Sequence, residues 1–374
     1  MCVGLRLKAC PRAGLAWALC GGWAALLSAM ILPMIASAQA PAPNPPAADL
    51  PRTLAQAPAT TAQSLRVVVL LPLDNTQLKR AAGVVRDGIR AVFGTRKSDL
   101  IVSECPYGAE AVVEAYQRCV TAETDWVIGP LGRSDVNALA LAKLQLTRPT
   151  LMLSPLGTVP PQPMAVLSPD LESEAEAIAQ QASDDACRKP VLAEAAGTTS
   201  SRVSVAITAY WRERSVTPLP TVALPNRDGW RRAADKWRND NVDCVLFTGS
   251  GAVLTELKPY LRGMAIYVTS ASFETALDRI VDWTGVRIAD APWLVDAERP
   301  TFAPYASATA LSPTLARLYA LGLDAARLVI AAGRDTLPPS FEGAIGELTL
   351  KDAQYRRRPI IGEFRERDLV KVSP

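Results

Sequence analysis

The stretch that best predicts the fold is DWVIGPLGRSDVNALALAKLQLTRPTLMLS, residues 125–154. Its first apolar run, 126–128, ends at a Gly-Pro turn, which is typical of a strand buried on both faces. A segment with helical spacing follows at 136–146, and Pro149 ends it. A second apolar strand follows at 150–153. These elements predict a strand–helix–strand unit with two parallel strands and a right-handed connection.

The loop of this unit, residues 129–134, is predicted to lie at the carboxyl end of the first strand. Ser134 and Asp135 precede the helix, so we predict that they form its N-terminal cap. Open α/β sheets bind ligands at this position, because free N–H groups and the helix dipole attract polar or anionic groups. A sharp strand exit followed by an ordinary helix cap explains the same residues, and both interpretations stay open.

Units of the same kind lie on both sides of this stretch. Before it, the alternation predicts strands at 66–71 and 100–103 and helices at 78–93 and 110–120. After Ser168 a second series follows, with helices predicted at 171–182, 203–215, 229–239 and 253–262 and strands at 191–195, 220–224, 242–248 and 265–269. We therefore predict an α/β protein with two lobes, each built on a parallel doubly wound sheet.

The first 64 residues carry targeting and linker signals. Three basic residues precede a long uncharged apolar run, and Ala36-Ser37-Ala38 has the small-x-small form of a signal peptidase site. We predict a signal peptide at 1–38 and export to the periplasm, with an anchor formed by an uncleaved N-terminal helix as the alternative. Residues 39–64 are rich in Pro and Ala, which predicts a linker without a core.

Composition and motifs argue against several classes of function. Without the three basic residues of the signal peptide, acidic and basic side chains balance, so nothing favours nucleic acid or an anionic membrane as a partner. The chain has no histidine, which removes the usual general base, the usual hydrolase triad and the commonest metal ligand. It has neither a Walker loop nor a G-x-G-x-x-G motif. We expect no enzymatic activity, no cofactor and no metal site.

Four cysteines remain after the predicted cleavage: Cys105, Cys119, Cys187 and Cys244. An oxidising compartment favours disulfides, and four cysteines permit three pairings. In a 2-1-3 strand order, Cys187 and Cys244 lie at the same sheet edge, so we favour a disulfide between them. Cys105–Cys119 then follows by elimination. Free buried thiols are the alternative.

Five polar residues stand just after predicted strand ends, at the edge where a cleft between two lobes would lie. They are Asp74, Ser134, Ser154, Ser250 and Ser270. Together they could hold a small polar ligand such as a carboxylate or a sugar. Ser is also an ordinary strand-exit cap, and that alternative explains the same positions.

Several longer motifs point to a known family. They are VVVLLPLD from Val67, VIGPLGRSDVNAL from Val127, VTSASF from Val268, IADAPWLVD from Ile288, ARLYALGLDAARLV from Ala316 and a closing hairpin from Gly343. The DxPW motif, here DAPW, and the RLYALGxDA motif, here RLYALGLDA and called RLYALG for short, are specific when they occur together, whereas VIGPL occurs in many periplasmic binding proteins. On these motifs the chain from Leu65 onward resembles the LppC/LpoA-type family of penicillin-binding protein activators.

The resemblance implies a two-lobed fold of the type I periplasmic-binding-protein kind, with three hinge crossings near Ser168, Pro292 and Phe341. The expected first lobe comprises residues 65–168 and 293–340, and the second 169–292 and 341–374. The implied function is regulation of peptidoglycan synthesis by binding a penicillin-binding protein. A solute-binding protein of an ABC-type transporter is the alternative, because one fold serves both functions.

Two features depart from the family pattern. Members are usually lipoproteins, but Cys20 follows Leu19 rather than a small residue, so we expect no lipid site here. Enteric members also carry a helical-repeat domain, and we expect none from this sequence.

The branched-chain amino acid transport proteins of this fold need an acid directly after the strand that matches residues 267–269. Here Ser270-Ala271-Ser272 follows and Glu274 is displaced, so we predict no binding of free amino acids.

Overall fold

The computed structural model describes residues 64–372 except 97–98, 109–110, 215–216, 225, 275–281, 306–309 and 367. The predicted signal peptide and nearly all of the predicted linker lie outside the described residues. The described residues belong to one compact unit that contains two sheets. Among them, no helix is both long enough and apolar enough to cross a bilayer.

Strands and helices alternate along most of the chain, as the sequence predicts. In chain order the elements are β1 (Leu65–Leu71), α1 (Lys79–Phe93), β2 (Leu100–Pro106), α2 (Val112–Cys119), β3 (Trp126–Ile128), α3 (Arg133–Leu141), β4 (Thr150–Met152), β5 (Met164–Val166), α4 (Leu171–Asp184), β6 (Pro190–Ala195), α5 (Thr198–Arg214), β7 (Thr221–Leu224), α6 (Arg227–Asn239), β8 (Cys244–Phe247), α7 (Gly251–Leu257), β9 (Ala265–Thr269), β10 (Val286–Asp290), α8 (Pro292–Val295), α9 (Pro313–Ala332), β11 (Ser340–Glu342), β12 (Glu347–Lys351), β13 (Gln354–Arg358), β14 (Ile360–Arg365) and β15 (Asp368–Lys371).

The first sheet has eight strands in the order β11-β12-β13-β5-β4-β3-β1-β2. Its strands from β2 to β5 are parallel, and β3 and β4 are buried along their whole length, as their apolar sequences predict. β11 and β12 pair antiparallel with their neighbours, and β13 joins the sheet parallel to β5 through Gln354 and Val166. The sheet is therefore mixed, although mostly parallel.

The second sheet has seven strands in the order β15-β14-β10-β9-β8-β6-β7. β7, β6 and β8 give the expected 2-1-3 order, which places the start of β8 beside the start of β6. β14 pairs antiparallel with β10, and β15 pairs antiparallel with β14. The prediction of an α/β fold with two doubly wound sheets is confirmed, although both sheets are mixed. The strands β11, β12 and β13 extend the first sheet, and the hairpin of β14 and β15 extends the second.

Helices α1 and α9 pack against each other at unusually close range beside the first sheet. A Cβ atom placed on Gly88 would lie 2.3 Å from the carbonyl oxygen of Tyr319. A Cβ atom placed on Gly322 would lie 2.1 Å from the carbonyl oxygen of Val85. Each helix thus uses a glycine to let its partner's backbone approach. Gly322 is the glycine of the RLYALG motif, so that motif residue has a packing role.

The chain passes between the two sheets at three places. The first lies between β5 and α4, and the second lies between β10 and α8, near the expected Ser168 and Pro292. The third lies between β13 and β14, at Pro359, and the expectation of a crossing near Phe341 is wrong. The hairpin β12–β13 buries Leu348 and Tyr355 in the core of the first sheet, whereas Phe364 of β14 lies in the core of the second.

This difference changes where the last segment belongs. The expected second lobe included residues 341–374, but among these only β14 and β15 join the second sheet. The division into two lobes remains our interpretation, with each lobe defined by its sheet and the helices packed on it.

Candidate functional site

Three of the five predicted cleft residues make few contacts that could form a ligand-binding site. Asp74 is exposed after β1. Ser134 is also exposed, and its hydroxyl donates a 3.3 Å hydrogen bond to Asp135. The Ser154 hydroxyl donates to the carbonyl of Leu131, so it fastens the loop after β3 to the end of β4.

The expected cap at Ser134 and Asp135 is wrong in its details. Helix α3 begins at Arg133, its N-cap is Gly132, and no side chain caps it. Asp135 instead accepts a 2.7 Å hydrogen bond from the Tyr107 hydroxyl. Burial, and then the hydrogen bond to Asp135, raise the pKa of Tyr107, so this hydroxyl keeps its proton and remains a donor. Asp135 thus ties α3 to the end of β2.

Ser250 lies at a cavity on the carboxyl edge of the second sheet. The cavity has a volume of 370 Å³ and is lined by the turn after β6, the first residues of α5, Thr248, Ser250 and Glu274. Thr248 is 4% exposed, and its hydroxyl has no hydrogen-bond partner among the described residues. This is the edge at which open α/β sheets bind ligands. The cavity contains one of the five predicted residues, together with the displaced Glu274.

A larger cavity, of 610 Å³, lies along α4. Its other wall is formed by the segment from Arg357 to Ile361 and by the end of β15. None of the five predicted residues lines it. Some of the polar groups that line it have partners within the protein, since Tyr210 donates to Gln180 and Lys371 lies 3.5 Å from Asp296.

Ser270 is held in the interior by a buried acid. Its backbone N–H and its hydroxyl both donate to the carboxylate of Glu174, at 2.7 Å and 2.9 Å. The Ser270 hydroxyl is therefore occupied by the protein itself and does not face a ligand. Burial raises the pKa of Glu174, and the positive charge of Arg357 opposes that rise.

Arg357 is the main partner of Glu174, and each side chain is only 1% exposed. One guanidinium nitrogen, Nη2, donates to Glu174 and also to the carbonyl of Asp170, at 2.7 Å from the latter. The Nε and Nη1 atoms donate to the carbonyls of Asp170 and Ile345, at 3.2 Å and 3.1 Å. The buried charge of Arg357 is thereby surrounded by acceptors.

A second buried ion pair joins Asp290 and Arg317. The two side chains are 0% and 11% exposed, and their closest oxygen and nitrogen atoms are 2.6 Å apart. Two nearly parallel hydrogen bonds, of 2.8 Å and 2.6 Å, form a bidentate pair. Arg317 also donates to the carbonyl of Phe273, at 3.0 Å. Asp290 and Arg317 come from the DAPW and RLYALG motifs, so this contact joins the two most specific motifs of the sequence.

Asp324 is a third buried acid, and it lies two residues after Gly322 in α9. Its carboxylate accepts hydrogen bonds from the backbone N–H groups of Ala344 and Ile345, at 2.7 Å and 2.8 Å, and from Arg327. Burial raises the pKa of Asp324 to about 6, although these donors oppose the rise. Asp324 fixes the loop between β11 and β12 onto α9.

Six residues near the crossings form what we call the hinge network: Asp170, Glu174, Ser270, Asp290, Arg317 and Arg357. Of these six residues, only Ser270 was predicted from the sequence as a site residue, and it was assigned to a cleft. The available signal was the position of Asp290 and Arg317 in the two specific motifs. A charged residue inside an otherwise apolar motif indicates a buried ion pair, because an unpaired buried charge is costly.

Both favoured disulfides are present. Cys105–Cys119 and Cys187–Cys244 have Cα–Cα distances of 6.1 Å and 6.0 Å. Among the described residues, Cys187, Asp243 and Cys244 are the one group of potential ligands close enough to share a metal ion. Two of these three are joined in a disulfide, and the carboxylate of the third, Asp243, accepts hydrogen bonds from the backbone N–H groups of Arg188 and Lys189.

Two sequence comparisons show which known proteins this chain is similar to. The family model described as LppC putative lipoprotein matches residues 223–358. The penicillin-binding protein activator LpoA of Haemophilus influenzae is 29% identical over 171 residues, which cover 44% of this chain and 29% of that protein. The chain thus spans less than a third of the length of this curated relative.

Solved structures show the same fold. The C-domain of LpoA (YraM) from Haemophilus influenzae, a regulator of PBP1A, has a TM-score of 0.68 and 21% identity, covering 82% of this chain and 100% of that one. A putative branched-chain amino acid ABC transporter from Chromobacterium violaceum has a TM-score of 0.71 and 28% identity, covering 80% and 100%. The LppC match and the LpoA relative confirm the resemblance to the LppC/LpoA-type penicillin-binding protein activators, in a fold shared with ABC transporter substrate-binding proteins.

Proposed function

We propose that this protein is a non-catalytic periplasmic regulator that binds a penicillin-binding protein and promotes the crosslinking of peptidoglycan. One observation carries the proposal: the charged residues of the two specific family motifs hold the structure together, and none of them lines either of the two cavities described above. Asp290 and Arg317 pair with each other in the interior, and Asp324 fixes a loop. A protein whose most specific residues build its frame is suited to present a surface to a partner.

The proposed absence of catalysis has support in the environment of the buried acids. Among the described residues, Glu174, Asp290 and Asp324 are the acids most shielded from water, and each accepts hydrogen bonds from the protein and pairs with an arginine. General acid–base catalysis requires a carboxyl group that can reach a substrate. These three carboxylates are already occupied by structural donors.

The proposed location has support in the cysteines. The two disulfides close loops with sequence separations of 14 and 57 residues. Disulfides of this kind form and persist in oxidising compartments such as the periplasm.

A second candidate function is solute binding for an ABC-type transporter. The cavity at Ser250 favours it, because the cavity lies at the carboxyl edge of the second sheet and includes the buried Thr248 hydroxyl. The likeness to the Chromobacterium violaceum protein favours it as well. A small polar ligand that bridged Ser250 and Glu274 would be consistent with that function.

Affinity isolation from the native envelope distinguishes the two functions. The full chain, tagged at its C-terminus, is crosslinked in living cells, purified and analysed by mass spectrometry, beside an unrelated tagged periplasmic protein. We expect a bifunctional penicillin-binding protein to be enriched over the control. Enrichment of a transporter permease without a penicillin-binding protein would support solute binding instead.

A further inference from the structure

We propose that the hinge network clamps all three crossings and holds the two lobes at one fixed angle. The protein then offers its partner a preformed surface and does not open and close around a ligand. The inference rests on the proposed function in one respect only, namely that a fixed surface serves a protein partner.

Arg357 joins the first and the third crossing. It is the penultimate residue of β13, directly before the chain passes to β14 in the second sheet. Its guanidinium donates to the carbonyl of Asp170, which lies in the first crossing, between β5 and α4. It also donates to Glu174 in α4, a helix packed on the second sheet, and to Ile345 in the first core. One buried cation thus contacts both crossings and both sides of the hinge.

Arg317 secures the second crossing. Its partner Asp290 is the last residue of β10, directly before the chain leaves the second sheet. Arg317 itself belongs to α9, whose buried residues lie in the core of the first sheet. Its additional bond goes to the carbonyl of Phe273, a core residue of the second sheet. Rotation of one lobe about the hinge would pull Arg317 away from two acceptors on the other.

Glu174 and Ser270 connect these two contacts. Glu174 binds Arg357 on one side and Ser270 on the other, and Ser270 directly follows β9. The charges of Asp290 and Arg317 also act on Glu174. The two ion pairs therefore lie within one buried electrostatic cluster. All four charged side chains of these pairs are at most 11% exposed, so removing one partner leaves a buried charge without its counter-ion, which is costly.

A ligand-driven hinge needs two states that differ little in free energy. Opening this hinge would separate buried ions from their partners, so the open state would lie well above the closed state in free energy. The network thus favours one state. It also gives the DAPW and RLYALG motifs a shared physical role, which is to hold the crossings together.

The test measures the distance between the lobes in solution by double electron–electron resonance. Spin labels are attached through p-acetylphenylalanine at Leu141 in α3 and Val205 in α5, which are 85% and 70% exposed, so the native disulfides stay intact. For the wild-type background we expect one narrow distance peak that a panel of free amino acids and sugars does not shift. Two populations, or a peak displaced by a ligand, would overturn the proposal.

Two variants test the cause of the fixed angle. Arg317→Met and the milder Glu174→Gln should each broaden the peak or add a second population. The control Arg66→Met, which breaks an exposed ion pair with Glu123, should leave the peak unchanged. A peak of wild-type width in both hinge variants would overturn the assigned role of the network, and the wild-type measurement stands by itself if Arg317→Met does not fold.

Binding of a penicillin-binding protein is measured on the same samples, so that the two ideas can fail separately. A narrow wild-type distance peak without binding of the penicillin-binding protein contradicts the proposed function but supports the fixed angle between the lobes. Binding together with a broad wild-type peak contradicts the fixed angle alone.

Discussion

Replacement of Gly88 by alanine tests the closest helix contact in the protein. A Cβ atom on Gly88 would lie 2.3 Å from the Tyr319 carbonyl oxygen and 3.0 Å from the Leu323 backbone nitrogen. Both neighbours are backbone atoms of α9, so neither can rotate away as a side chain would. Gly83, five residues earlier in the same helix, has open space around its Cβ position. Gly83→Ala is therefore a matched control.

The two substitutions should change stability in opposite directions. Alanine is preferred over glycine inside a helix by about 0.5–1 kcal/mol, which favours both variants. Forcing extra atoms into a packed contact costs about 1–3 kcal/mol, and a rigid backbone neighbour favours the upper end. Gly88→Ala should thus lose about 2 kcal/mol overall, while Gly83→Ala should gain up to about 1 kcal/mol. At about 2 °C per kcal/mol for a chain of this size, Tm should fall by about 4 °C and rise by up to about 2 °C, respectively.

Differential scanning calorimetry of the two variants and the wild type measures these shifts. Gly322→Ala provides an independent check, because its Cβ would lie 2.1 Å from the Val85 carbonyl oxygen on the opposite helix. If Gly88→Ala were as stable as Gly83→Ala, the close approach of α1 and α9 would be refuted.

Three further predictions concern charge, ligand and crosslinks. Burial raises the pKa of Asp324 from 3.8 to about 6, so its protonated form stabilises the fold, fully below pH 3.8 and no longer once pH rises through about 6. Unfolding free energies measured from about pH 4 to 7 should therefore show wild type losing up to about 3 kcal/mol relative to Asp324→Asn. A gain of wild type relative to Asp324→Asn would contradict this prediction. Calorimetry with free amino acids should show no micromolar binding, and binding that is lost in Ser250→Ala, at the cavity of the second sheet, would favour the transport function. Replacing Cys187 and Cys244 together by serine should lower the urea-unfolding free energy by about 4 kcal/mol, given a sequence separation of 57, and a loss below about 1 kcal/mol would contradict this.

Local patterns in the sequence predicted much of the fold. The strands at 126–128 and 265–269 lie where their apolar runs placed them. The disulfide between Cys187 and Cys244 followed from the strand order, because that order fixes which strand ends are neighbours. The start of α3 was misplaced, since Gly132 provides the N-cap and leaves Ser134 inside the first turn.

Long-range pairings were the part that the sequence did not predict. The third crossing depends on β13 pairing with β5, strands separated by almost 190 residues, and no local pattern encodes that choice. The same holds for Arg357 and Glu174, which are 183 residues apart in sequence. Ser270 was assigned to a cleft because it follows a strand end, but burial of Glu174 beneath it turns its hydroxyl inward.

Reconstituted peptidoglycan synthesis tests whether this protein acts on a penicillin-binding protein through direct binding, as we propose. The purified chain without its predicted signal peptide is added in increasing amounts to a bifunctional penicillin-binding protein from the same cells and lipid-linked precursor. The measured quantity is the fraction of crosslinked muropeptides. We expect that fraction to rise and to saturate at a fixed ratio of the two proteins. An unchanged crosslinked fraction at every ratio would contradict the proposed regulation of the penicillin-binding protein.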